Sequence, residues 1–173
     1  MPAISAGRLR GLTATELIVR GLGIATAALL AIDAYVHFDD AHLYDGGTGA
    51  AITEGSLFRV QAAVAVVLAV ALLVRPHWLV WAVTVLVAGS AAGAVYLYTN
   101  VDVGGLGPLP NMYEPTWALP GKRLSAVAES AATIVAVLGL VLAVLRARTR
   151  RTTRGGATVS ASLPESTAHR GSG

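Results

Sequence analysis

Residues 57–98 read LFRVQAAVAVVLAVALLVRPHWLVWAVTVLVAGSAAGAVYLY, two apolar runs separated only by Arg75-Pro76-His77. The runs cover about residues 57–74 and 78–98. Each is long enough to cross the ~30 Å hydrocarbon core of a bilayer at about 1.5 Å per residue. Because the connection is so short, the stretch predicts two transmembrane helices that lie side by side as an antiparallel hairpin.

Two further apolar runs flank this hairpin, at about residues 17–38 and 124–145. The whole chain is 54% hydrophobic and only 13% charged, whereas a soluble domain carries roughly 25% charged residues. The sequence therefore predicts an all-α, integral membrane four-helix bundle over residues 13–149.

The first run has the weakest signal, because its uncharged part covers only residues 21–32. It becomes a full span if Arg20 lies at the inner interface and Asp33 near the outer one. Thr13 and Glu16 form a capping-box pattern that predicts a helix start just before it. A cleaved signal peptide, with the two arginines of the first ten residues as its basic region, is the alternative.

The basic residues predict the orientation of the bundle. Ten arginines fall at one end of the predicted helices or in the terminal segments, whereas only Arg59, Lys122 and Arg123 fall at the other. Cytoplasmic segments carry the excess of arginine and lysine. Both termini are therefore predicted in the cytoplasm, with residues 1–12 as a short cytoplasmic segment and 150–173 as a disordered cytoplasmic tail. The loops at about 39–56 and 99–123 then face outside the cytoplasmic membrane.

Composition excludes several classes of function. The sequence pI is about 9.7, but the helix-end arginines explain it without nucleic acid as a partner. The chain has no cysteine, which excludes disulfides, thiolate metal sites and thiol redox chemistry. No histidines face one another at one depth, so a haem is not expected, and no cofactor is predicted.

Three charged residues lie inside the predicted spans, namely Asp33, Arg59 and Glu129. At about 1.5 Å per residue they fall into one layer near the outer surface. Ionisable groups in a membrane span usually pair or mark a functional site. The layer is therefore either an ion-paired clamp that fixes helix register, or a polar vestibule that binds a proton, a cation or a small polar ligand. Gln61, two residues from Arg59, is expected to point elsewhere.

A second candidate site is a metal site formed by Asp33, His37 and His42. Asp33 and His37 are four residues apart, so both side chains can reach one ion from the same helix face. A nitrogen and oxygen ligand set of this kind suits Zn²⁺ or Cu²⁺. A solvated acidic helix end is the alternative, since a helix C-terminus also stabilises a charged histidine.

The predicted outer loop at residues 104–121 contains four prolines together with aromatic residues. Such a loop is stiff and amphipathic, and it is expected to rest on the membrane or to cap the bundle. A surface that docks a partner membrane protein is the alternative. Trp78, Trp81, Tyr96 and Tyr98 are expected to anchor the third helix at the two interfaces.

A resemblance over about residues 15–146 rests on two segments. They are the loop at 44–54 leading into Leu57-Phe-Arg-Val-Gln61, and Met112-Tyr-Glu-Pro-Thr-Trp117 before Glu129. The chain resembles small four-helix membrane proteins of high-GC Gram-positive bacteria. That resemblance implies the fold and brings no assigned activity. The sequence favours a structural or accessory membrane component, with a small transporter or an ion- or proton-binding protein as the alternative. No nucleophile–base pair or phosphate loop indicates an enzyme.

Overall fold

The computed structural model describes residues 13–46, 51–119 and 121–161, the last range with side chains up to residue 149. Within these ranges the regular secondary structure is all helical, without a strand. A short 3-10 turn, Ala41–Tyr44, follows the first helix. The four long helices are α1 (Ala14–Asp40), α2 (Glu54–Val74), α3 (Trp78–Asn100) and α4 (Lys122–Ala161).

The predicted helices are all present, and their ends extend beyond the predicted bounds at most positions. At the start of α1, Thr13 and Glu16 form the expected capping box: the Glu16 amide donates to Thr13 Oγ1 at 3.3 Å, and the Thr13 amide donates to Glu16 Oε2 at 3.1 Å. These bonds satisfy two donors that a helix end would otherwise leave without partners. The weak first run is therefore a continuous helix of 27 residues.

The far end of α4 differs from the prediction. The sequence predicts disorder from residue 150, but the helix continues to Ala161. Each residue added to an existing helix costs little compared with nucleation, and arginine is a good helix former. The rest of the predicted tail, 162–173, and the predicted segment 1–12 lie outside the described residues.

All four helices are long and apolar enough to cross a membrane. Their outward faces are apolar on every side of the bundle, with Ile24, Val67, Leu86 and Ile134 exposed on successive helices. A soluble protein rarely exposes so much contiguous apolar surface. This surface suits lipid as the surrounding solvent.

The helices pack in an order that differs from the chain order. α1 packs closely against α2 and α4, and α3 packs against α4, whereas α2 and α3 make few contacts with each other. The hairpin predicted from residues 75–77 is present, but its two helices are not packing neighbours. The buried core is rich in alanine, whose small side chain lets helix backbones approach closely. A gap, here called the seam, therefore separates α2 from α3. α1 and α4, which pack against each other, lie behind this seam.

The Trp81 side chain of α3 packs against α4 at Gly139, where the absence of a side chain leaves room for the indole ring. The Trp81 side chain is fully buried, and a Cβ atom on Gly139 would lie only 2.5 Å from its ring. The expectation that Trp81 anchors the helix at an interface is therefore wrong. Trp78 and Tyr96, by contrast, are exposed near opposite ends of α3.

The predicted outer loop folds back over the bundle and caps it, and we use the name outer end for the end of the bundle that this loop covers. The Glu114 amide donates to the Tyr98 carbonyl at 3.0 Å, and Lys122 Nζ donates to the Glu114 carbonyl at 2.6 Å. Gly121, which precedes α4, has φ +78°, and a Cβ there would collide with Asp40 of α1. Glycine at this position allows the start of α4 to lie directly against the outer end of α1.

Candidate functional site

Three helices place a polar side chain at the same depth. Asp33 of α1, Gln61 of α2 and Glu129 of α4 each lie seven residues from the outer end of their helix. At 1.5 Å per residue, this is about 10 Å below the outer end. Asp33 and Glu129 are almost fully buried, each with 1% of its surface exposed. The structure thus brings together two of the three predicted intramembrane charges.

His37 completes the cluster from one helical turn above Asp33. Its Nδ1 lies 3.1 Å from the main-chain carbonyl oxygen of Asp33 and 2.9 Å from the carboxylate Oδ1 of the same residue. Its Nε2 lies 3.7 Å from Glu129 Oε1. One ligand atom from each of the three residues lies within 4.8 Å of the others. We call Asp33, His37 and Glu129 the buried triad.

Two neutral side chains orient the carboxylates of the buried triad. Gln61 Nε2 donates to Asp33 Oδ2 at 3.3 Å, and Ser125 Oγ donates to Glu129 Oε1 at 3.1 Å. The other two carboxylate oxygens, Asp33 Oδ1 and Glu129 Oε2, are buried without a hydrogen bond. Although His37 Nδ1 is close to Asp33 Oδ1, its hydrogen-bond geometry suits the main-chain carbonyl. A buried carboxylate oxygen without a donor is costly unless something else balances it.

Arg59 does not belong to this layer, contrary to the predicted cluster of Asp33, Arg59 and Glu129. Its guanidinium donates two hydrogen bonds to Asp45, at 2.7 and 2.6 Å, and both side chains are about half exposed. These hydrogen bonds hold the pKa of Asp45 below its usual range. A guanidinium near the outer surface avoids burial by pairing outside the bundle, where desolvation is small. Gln61, two residues on, faces inward instead.

His42 does not join the metal-ligand group predicted with Asp33 and His37. α1 ends at Asp40, and the chain then turns into the 3-10 segment. His42 Nδ1 lies 2.6 Å from the Asp39 carbonyl oxygen, on the exposed surface. The structure supplies Glu129, from another helix, as the third potential ligand.

A cavity of about 350 Å³ opens above the buried triad at the outer end of the bundle. Its floor includes His37, Gln61 and Glu129, and its upper part includes Tyr44 and Glu114. Four residues with carboxylic side chains line this cavity, together with one lysine. The charged lining residues are Asp40, Glu54, Glu114, Glu129 and Lys122.

The mouth of this acidic cavity is held by contacts between segments far apart in the chain. The Tyr44 hydroxyl donates to Glu114 Oε2 at 3.2 Å, and Lys122 Nζ lies 3.8 Å from the same oxygen. The cavity is also lined by apolar residues of α2 and α3, which face each other across the seam. Tyr44 and Glu114 could not be assigned to a site from sequence, because they meet across 70 residues of chain.

Comparison of the chain with protein-family models, with curated proteins and with solved structures found no match. Fold alone does not imply a function, since one architecture supports many activities. The chemistry of the buried triad and the acidic cavity is therefore the basis for a functional proposal.

Proposed function

We propose that the chain is an integral protein of the cytoplasmic membrane that binds a small cation in the acidic cavity at its outer end. The observation that carries the proposal is the group of four carboxylic residues facing one cavity that contains a single lysine. Carboxylates brought together away from bulk water repel one another and are poorly solvated. A bound cation removes both penalties.

The apolar outward faces and the distribution of arginines support the membrane part of this proposal. Four helices are long and apolar enough to span. Of the arginines described with side chains, four lie at the end of the bundle opposite the cavity and two at the cavity end. The positive-inside rule then places both termini in the cytoplasm and the cavity on the outer side.

The absence of native cysteine makes this orientation directly testable. We expect a membrane-impermeant maleimide to label Ala118→Cys, in the outer loop, on intact cells. His77→Cys, in the turn between α2 and α3, should react only after the cells are permeabilised. The reverse pattern would refute the proposed orientation. Equal labelling of the two cysteine variants in intact cells would refute the proposal that the helices between them span the membrane.

The size and position of the cavity support a small ligand that enters from outside. A volume of about 350 Å³ lies at the lower end of the range for small-molecule sites. Below the buried triad the core is closed by packed apolar side chains, including Leu30, Leu68 and Leu72. The same conformation therefore supports binding from one side, and transport requires the helices to move.

An accessory role, which the sequence favours first, stays a prediction. One observation supports it: the outer loop is fixed over the bundle and exposes Leu106 and Tyr113. Such a surface could contact a partner membrane protein. This role predicts no specific response to cations, which separates it from the cation-binding proposal.

The test of cation binding is thermal stability of the full chain in detergent, at constant ionic strength, with Mg²⁺, Ca²⁺, Mn²⁺, Co²⁺, Zn²⁺ or tetramethylammonium. We expect at least one of these cations to raise the melting temperature of the wild type in a saturable manner. Glu54→Gln removes one lining carboxylate. It should lower the binding affinity for that cation by about three- to fivefold through lost Coulomb attraction.

Asp102→Asn is the matched control, because Asp102 is an exposed outer-loop carboxylate that does not line the cavity. It should leave the cation affinity unchanged. If no cation stabilises the wild type, or if both variants weaken it equally, the acidic cavity is not the binding site.

A further inference from the structure

The distance between His37 and Glu129 suits two ligands of one ion better than a direct hydrogen bond. His37 Nε2 and Glu129 Oε1 are 3.7 Å apart, too far for a good N–H···O hydrogen bond. Two ligands at about 2.0–2.2 Å from one tetrahedral metal ion are roughly 3.3–3.6 Å apart. A small adjustment of either side chain would bring both onto one ion.

The orientation of His37 also fits a metal ligand. Its Nδ1 is placed to donate to the main-chain carbonyl of Asp33. In the neutral imidazole, this leaves the lone pair on Nε2, the ring nitrogen that lies nearer Glu129. Histidines that bind metals commonly donate their other ring N–H to a backbone carbonyl or a carboxylate, which fixes the tautomer.

The two carboxylates supply an independent observation. Asp33 and Glu129 are each 1% exposed, and each has one oxygen held by a neutral donor and one oxygen with no hydrogen bond. Gln61 and Ser125 therefore act as positioning residues and leave acceptor capacity unused inside the cluster. A cation among the three side chains would use that capacity.

We propose that the buried triad coordinates one divalent transition-metal ion, of the class of Zn²⁺ and Co²⁺, through His37 Nε2 and the carboxylates of Asp33 and Glu129. This inference rests on the proposed function, because it names the cation and its ligands. One imidazole with two carboxylates suits such borderline ions, whereas Mg²⁺ and Ca²⁺ prefer oxygen ligands alone. Three protein ligands leave a fourth position for water, as in catalytic zinc sites. His37 and Glu129 also line the acidic cavity, through which water can reach the ion.

The experiment is a titration of the purified full chain in detergent with Co²⁺, whose visible d–d absorption reports coordination by protein ligands. We expect one Co²⁺ per chain, with an absorption that Zn²⁺ abolishes by competition. His37→Ala should lower the Co²⁺ affinity at least about 100-fold. His42→Ala is the matched control: it removes the nearby exposed histidine and should leave both spectrum and affinity unchanged.

Ser125→Ala tests the same site without removing a ligand. It takes away only the hydrogen bond that positions Glu129, so we expect about 10-fold weaker Co²⁺ binding with one ion still bound. This variant decides the question if His37→Ala fails to fold.

The outcomes separate the two proposals. If Co²⁺ binds wild type, His37→Ala and Ser125→Ala equally but Glu54→Gln more weakly, the cavity binds cations and the buried triad is not the coordination site. If no cation binds the wild type, both proposals fail.

Discussion

A Gly139→Val variant is expected to lose about 3 kcal/mol of unfolding free energy, because overpacking a well-filled core displaces side chains or backbone. Even the first added carbon would lie 2.5 Å from the Trp81 ring. The ring cannot move away easily, since Trp81 is fully buried between helices. For a chain of this size, such a loss lowers the melting temperature by roughly 6–12 °C. Thermal unfolding in detergent, followed by circular dichroism, measures it.

Gly93→Val is the matched control for this prediction. Gly93 is also a helical glycine, but a Cβ there meets no atom within 4 Å. The two variants share the change in helix propensity, so their difference isolates the contact between α3 and α4. Equal losses of unfolding free energy in both variants would show that Trp81 does not pack against Gly139.

The number and extent of the helices could be predicted because they depend on length and apolar composition. Which face of each helix points inward could not, because these helices are apolar on every side. In a soluble helix the polar face fixes the rotation, whereas here Trp81 was equally plausible inside or at an interface. Its burial depends on the glycine at position 139, on a helix that is distant in sequence.

The depth of the site was predictable, and its membership was only partly so. Asp33 and Glu129 could be placed in one layer because the helical rise is fixed. Arg59 and Gln61 are two residues apart and cannot both face the bundle interior. Their charges suggested the arginine, but the low-dielectric interior takes the neutral amide while the guanidinium remains near water.

His42 shows the other limit of sequence reasoning. Its place in the predicted metal site required the chain to fold back after α1, because a continued α-helix would put His42 on the face opposite Asp33. The helix end and the following 3-10 turn direct it to the surface instead. Glu129 could not be chosen in its place from spacing, because the angle between α1 and α4 is set by packing across the whole bundle.

Glu129→Gln is expected to separate stability from binding. In metal-free protein the variant should melt a few degrees above the wild type. The amide keeps an oxygen that can accept from Ser125, while one of two neighbouring buried carboxylates is removed. Two neighbouring carboxylates repel each other when both are charged, so neutralising one of them relieves that repulsion.

With Co²⁺ at about 100 times its dissociation constant, the wild type should gain about 2.7 kcal/mol of unfolding free energy and the variant almost none. The order of the two melting temperatures should therefore reverse on adding metal. Asp39→Asn, which removes an exposed carboxylate near the same end of α1, should follow the wild type in both conditions.

A different result would assign the buried triad another role. If Glu129→Gln lowers stability equally with and without Co²⁺, the wild-type carboxylates are balanced within the protein and need no external cation. The group within reach of both is His37, whose ring nitrogens lie 2.9 Å from Asp33 and 3.7 Å from Glu129. Removing one partner of a buried ion pair costs about 3–5 kcal/mol. Such a loss would indicate an ion-paired clamp, with His37 in place of the arginine that the sequence suggested.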